Sequence, residues 1–308
     1  MISVKMFGAV GDGVTDDTAA IQVAIDDQPA AGGEIYLPSG IFRITAPVEL
    51  RQGITVRGSS RTGTKILNDN DDDALVAYGD AGNITISDMY IRDELGTRTQ
   101  GAAINFDIGG ACWNIQRVQT HGFYNSIRSA GIMCCTMQDV VMAHSVSDGF
   151  YTDGTCNALN LTNVYANVAG GHGFNILSPV YSSLHTCACD LCVGDAYHFR
   201  TTAPAAEGAT MLALTACGAE SNTGHALYVE NGVGVVAAAC YFMGCSDDFI
   251  YLSGTINSSL TGISAVAIAP LYGLTTATSA FSACADIAGI VSNISPIDDP
   301  VGAYTSYP

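Results

Sequence analysis

A repeat constrains this chain more than any other feature. From about residue 83 one pattern returns, reading GFYNS at 122, GFYTD at 149, GFNIL at 173, AYHFR at 196, ALYVE at 226 and FIYLS at 249. The inward steps Phe123, Phe150, Phe174, Tyr197, Leu227 and Ile250 are separated by 27, 24, 23, 30 and 23 residues. A second short strand pattern precedes each, as in NITISDMYI from Asn83 and ALNLTNVYA from Ala158. One such unit cannot bury its own apolar face, so copies must stack, and a period of roughly 20–30 residues with short strands predicts a parallel β-solenoid. Ten residues before the steps the register gives Val140, Val164, Cys187, Cys217 and Cys240, a column of small apolar side chains inside the coil. Asp88, Asp139 and Asn163 fall at one shared corner, where they read as turn-formers.

Composition agrees and excludes several functions. Hydrophobic residues make up 48 % and charged residues 13 %, which is incompatible with disorder. The net charge of −18 excludes nucleic acid as a partner, because phosphate binding needs clustered Lys and Arg. No apolar run reaches the ~18 residues of a membrane span. MISVKMFGAV carries no apolar leader core, so synthesis in a host cytoplasm without a signal peptide is expected. The 11 cysteines show no zinc spacing and read as buried free thiols, so neither metal nor cofactor is expected.

The stretch GAVGDGVTDDTAAIQVAI, from Gly8, resembles a phosphate loop but has no Lys after Gly13, and Asp12, Asp16 and Asp17 would repel a phosphate. Thr15 reads as the N-cap of an amphipathic helix over Asp16–Asp27, with Ile21 and Ile25 on one face. Such a helix suits the raw apolar end of a solenoid. The fold expected is therefore all-β, a parallel β-helix with an N-terminal capping α-helix.

The run VKMFGAVGDGVTDDTAAIQVAIDDQPAAGGEIYLPSGIFRI resembles the N-terminal signature of the pectate-lyase-like superfamily of right-handed parallel β-helices, in the version found in bacteriophage tailspikes and capsule depolymerases. The resemblance implies a homotrimer in a phage virion that binds, and often cleaves, bacterial surface polysaccharide. It divides the chain into a cap and first strands (1–45), the β-helix (46–270) and a C-terminal cap or trimer contact (271–308).

Candidate site residues follow from the coil register. The residue after each step faces outward, giving Asn105, Tyr124, Tyr151, Asn175, His198, Tyr228 and Tyr251; two further on come Asp107, Ser126, Asp153, Leu177, Arg200, Glu230 and Ser253. Tyr124, Tyr151, Asn175, His198, Arg200, Tyr228 and Glu230 are expected to bind sugar, whose apolar ring faces suit aromatic side chains. Arg200 and Glu230 also suit a surface salt bridge. Glycoside hydrolysis needs two carboxyl groups, one kept protonated. Asp190 and Glu220 occupy equivalent outward positions one coil apart, ~5 Å along the stack, so they are the expected acid/base pair, with Asp153 next. The loop 200–210 is expected to wall a groove near His198 and Glu207. Asp71-Asp72-Asp73 reads as a solvated acidic run. Gly171-His172-Gly173, one coil after Asp148, matches part of a polygalacturonase pattern, but no Lys follows Lys65 to complete it, so it reads as a turn. The expected activity is glycoside hydrolysis; the alternatives are a polysaccharide lyase and a non-catalytic spike domain.

Overall fold

The computed structural model describes residues 1–79, 81–107, 110–201, 211–245, 249–253, 259–266 and 281–282. The chain is a parallel β-solenoid of about nine turns. Its strands stack in three sheets: a long bent sheet A, a ten-stranded sheet B and a short four-stranded sheet C, with parallel pairing throughout. One coil shows the plan. Ser182–His185 runs in sheet A, the chain bends at Thr186, Ala188–Asp190 continues sheet A, a turn follows Leu191, and Tyr197–Arg200 enters sheet B.

The bend in sheet A is made the same way in every coil. Asp88, Arg117, Asp139, Asn163, Thr186, Ala216, Ala239 and Gly262 all carry φ between 50° and 62°. A non-glycine residue there costs roughly 1–2 kcal/mol, least for Asp and Asn, which can bond locally. Asp88 binds the Arg117 guanidinium with two contacts, of 2.6 and 2.9 Å, and Asn163 Nδ2 donates to Asp139 Oδ1 at 2.6 Å. The turn-former reading of Asp88, Asp139 and Asn163 therefore holds, and neighbouring coils tie the corner.

The interior follows the sequence register with one correction. Phe150, Phe174, Tyr197, Leu227 and Ile250 stack on one another as expected. The preceding rung is Ile127, not Phe123, so that step is 23 residues rather than 27. Phe123 is buried in the turn ahead of the strand, where the Arg98 guanidinium lies 4.4 Å from its ring. Cys187, Cys217 and Cys240 are buried and unpaired, as expected. Tyr197 is fully buried because its hydroxyl lies 2.8 Å from the carbonyls of both Cys187 and Gly218. Arg98 is also buried; it pairs with Asp93 at 2.8 Å and donates to the carbonyls of Asn70 and Asp72.

The helix spans Thr18–Asp26, shorter than expected, and buries Ile21, Ala24 and Ile25. Thr15 is not its cap: Asp17 holds that position, and its carboxylate instead accepts the Val10 and Gly11 amides at 2.6 and 2.9 Å. The glycine loop is thus held by its own acidic residue. Residues 202–210, with Glu207, lie outside the described residues, as does nearly all of 267–308.

Candidate functional site

Sheet B carries the expected outward column, and its register corrects one rung. Asn105, Arg128, Tyr151, Asn175, His198, Tyr228 and Tyr251 pair in succession. Arg128 stands where Tyr124 was expected; Tyr124 precedes the strand and lines a cleft of about 390 Å³ with Asp73, Tyr78, Asn105, Asp107 and Arg128. Ser126 is buried and bonds Ser145 at 2.8 Å, so it leaves the second column. The error is the four-residue misplacement that put Phe123 in the core. Arg128 bridges Asp107 and Asp153, at 2.8 Å to each, so Asp153 is a charge-paired group beside Tyr151. Arg200 and Glu230 are neighbours in register, and Arg200 Nε donates to Asn175 Oδ1 at 3.4 Å.

The aromatic part of this column is packed against itself. His172 and His198 rings lie 4.2 Å apart, His198 and Tyr228 4.6 Å with an interplanar angle of 1°, and Tyr228 and Tyr251 5.0 Å at 12°. These spacings are the rung spacing of a sheet. Ring faces are therefore spent on each other, and the column offers edges: hydroxyls and ring nitrogens. It is a hydrogen-bonding rail rather than the stacking platform expected from the tyrosines.

The turn entering sheet B holds a set of groups that sequence reasoning missed. Asp73, Asn125, Asp148, His172, Asp195 and His225 occupy its equivalent positions. Three of the carboxylates act as clamps between coils. Asp73 accepts the Ala102 amide and Asn105 Nδ2, both at 2.7 Å; Asp148 accepts the His172 amide at 2.7 Å and Asn175 Nδ2 at 2.9 Å. Asp195 accepts the His225 amide at 2.7 Å, and its two oxygens lie 2.8 Å from His225 Nδ1 and 2.6 Å from His198 Nδ1. Burial works to raise the Asp195 carboxyl, but the hydrogen bonds from His198, His225 and the His225 amide outweigh it and hold it well below the usual carboxylate range. His172 is pushed down by burial and then by the neighbouring His198. Asp73 is buried, against the expectation of a solvated acidic run, and burial pushes its carboxyl up. The signal available in sequence was the 23-residue recurrence itself, applied to the residue before each Gly or Ala step.

Asp190 and Glu220 are in register on neighbouring rungs, at the end of sheet A. Tyr165 donates its hydroxyl to Asp190 Oδ2 at 2.6 Å, and Asn167 donates to the Tyr165 oxygen at 2.9 Å. Burial pushes the Asp190 carboxyl up, and the Tyr165 bond offsets part of the rise. Glu220 is pushed up by partial desolvation and then by the Asp190 charge. Two residues earlier the rungs read Tyr165, Ala188, Gly218 and Tyr241, so a floor of two small residues lies between two tyrosines. The structure thus divides the expected site: the carboxylate pair belongs to sheet A and the aromatic rail to sheet B.

A parallel β-helix with outward rails of carboxylates, tyrosines and histidines defines a class built to present a long ladder of hydrogen-bonding groups. Residues 1–247 match the family described as rhamnogalacturonase A/epimerase, pectate lyase-like, and the chain belongs to that family. It is 32 % identical over 207 residues to mannuronan C5-epimerase AlgE4 of Azotobacter vinelandii, covering 58 % of this chain and 36 % of that one. It is 26 % identical over 246 residues to a capsule K30/K69-specific depolymerase of Klebsiella phage K5-2, covering 73 % of this chain and 30 % of that one. The chain thus spans about a third of the length of these curated relatives. The solved A-module of the Azotobacter vinelandii epimerase AlgE6 superposes with a TM-score of 0.72 at 20 % identity, covering 87 % of this chain and 80 % of that one, which shows the shared fold.

Proposed function

We propose that this chain is the glycan-handling β-helix of a phage spike, which binds a bacterial surface polysaccharide and hydrolyses it at Asp190 and Glu220. The observation carrying the chemistry is the register that stacks these two carboxyls on adjacent rungs, each with its proton affinity raised. A stacking distance of ~5 Å is the separation of a retaining glycosidase pair, in which one carboxyl acts as acid and the other as nucleophile. The more buried Asp190 is the acid, because burial favours its protonated form. Glu220, more open to solvent, is the nucleophile. Tyr165 fixes the Asp190 carboxyl, and the Ala188–Gly218 floor leaves room for a sugar ring against it. The rail of sheet B, with Tyr151, Asn175, His198, Arg200, Tyr228 and Glu230, holds further hydroxyls and acidic groups of the same polymer. The phage depolymerase relative supports a capsular substrate, and the spike reading carries the expectation of a homotrimer. Incubation with a panel of capsular and O-antigen polysaccharides should release new reducing ends, and Asp190→Asn should stop it. The epimerase relative favours a second reading, proton abstraction from a uronate with the Asp195-held His198 as base. New unsaturated-uronate absorbance, unaffected by Asp190→Asn, would replace the first reading by that one.

A further inference from the structure

His172, Asp195 and His198 each offer a ligand atom, and the three atoms lie within 4.8 Å of one another. We propose that they form a site for a divalent transition-metal ion of the zinc class. Asp195 Oδ2 is 3.4 Å from His172 Nδ1 and 2.6 Å from His198 Nδ1. Two donors on one tetrahedral ion, each at ~2.0–2.1 Å, stand about 3.3 Å apart. The first distance already fits, and the second needs an opening of well under 1 Å. Two imidazoles and one carboxylate select zinc, cobalt or nickel over calcium or magnesium, which prefer oxygen donors.

The surroundings supply what a ligand set needs beyond its three atoms. The other Asp195 oxygen is held by the His225 amide and faces His225 Nδ1, which fixes the carboxylate orientation. Asp148 accepts the His172 amide and so pins the start of that ligand's turn. His198 is stacked flat on Tyr228, which fixes its ring plane. His172 and His198 side chains remain 27 % and 17 % exposed, so an ion has a path in and keeps a water-filled position. Loading displaces the proton shared by His198 Nδ1 and Asp195 Oδ2 to solvent. It also exchanges the contact in which His172 Nδ1 accepts the Asp195 amide at 2.9 Å. The ligands escape motif recognition because 172 and 195 are separated by one coil, a spacing set by the solenoid rather than by a metal-binding loop.

The proposal is independent of hydrolysis at Asp190 and Glu220, and its test reads binding. The full chain, stripped with a chelator, is titrated with Zn²⁺ by calorimetry and with Co²⁺ by visible absorption. One equivalent should bind, with the intensified cobalt bands of a low-coordinate site. His172→Ala and His198→Gln should each weaken Zn²⁺ at least tenfold, whereas His121→Ala, in the separate His121–His144 ring pair, should change nothing. Absence of Zn²⁺ binding, Ca²⁺ binding as tight as Zn²⁺, or undiminished binding in both variants overturns it. Should a variant fail to fold, the wild-type spectrum decides, since cobalt left with its aqueous spectrum is equally a refutation.

Discussion

At the residue scale the sharpest claim concerns Asp190 and Glu220. Replacing a catalytic acid by its amide keeps the shape and removes proton transfer, typically costing ~10²–10⁴-fold in rate. Asp190→Asn and Glu220→Gln should each lower depolymerisation by that factor, read as reducing ends per minute. Their effect on stability has a defined sign. Both carboxyls are raised above their ordinary values of 3.8 and 4.5, so the folded chain holds these protons more tightly than the unfolded chain. The stability they contribute is complete at low pH and is lost as pH rises through the folded values. At pH 7 the amide variants therefore keep or raise the melting temperature, measured by calorimetry. A fall of several degrees would show that the ionised pair is structural. Tyr228 makes a second test, because its faces are covered by His198 and Tyr251. If its edge binds glycan, Tyr228→Phe should weaken polysaccharide binding nearly as much as Tyr228→Ala; a Phe variant that binds normally would return the role to the ring face.

At the element scale the turn before sheet B depends on carboxylates that bridge coils. Removing Asp148 leaves the His172 amide and the Asn175 side chain without their partner, a cost of ~1–3 kcal/mol for each buried group so exposed. Asp148→Ala should lower the unfolding free energy in urea by a few kcal/mol, whereas Asp153→Ala, which breaks a partly exposed pair with Arg128, should cost no more than ~1 kcal/mol. Equal effects would mean that the clamps add nothing beyond surface pairing. These elements also show what was legible beforehand. The interior columns were readable because apolar side chains repeat with the coil and only one register buries them all. The rung at Ile127 was misread because Gly122-Phe123 imitates the step that opens the other coils, while Phe123 is taken up by Arg98. The Asp190–Glu220 match was readable for the same reason as the cysteine column. The Asp195 cluster was not, since its histidines come from three coils and meet only through the turn. Whether a tyrosine shows its face or its edge depends on its neighbours' rotamers, which strand periodicity does not carry.

At the scale of the whole molecule, the spike reading requires an assembly. Exposed apolar side chains include Met133, Tyr181, Leu191, Val193 and Met211, on the outer sides of the coils. A homotrimer should appear by light scattering at micromolar concentration, and a stable monomer would remove that part of the proposal. Among the described residues no helix is long and apolar enough to cross a membrane.

The left-handed corner of sheet A has a further implication, for how such a chain can change length. From Asn163 the corner returns at Thr186, Ala216, Ala239 and Gly262, and only the interval containing residues 202–210 departs from 23. The molecule therefore counts in whole coils. Excising 23 residues between two equivalent corners would bring one rung onto the next with every inward side chain still inward. Excising 22 would reverse the facing of each strand as far as the next corner, since side chains alternate with a period of two. Growth and shortening are thereby channelled either into complete turns or into the connection after Arg200, where seven extra residues disturb no rung.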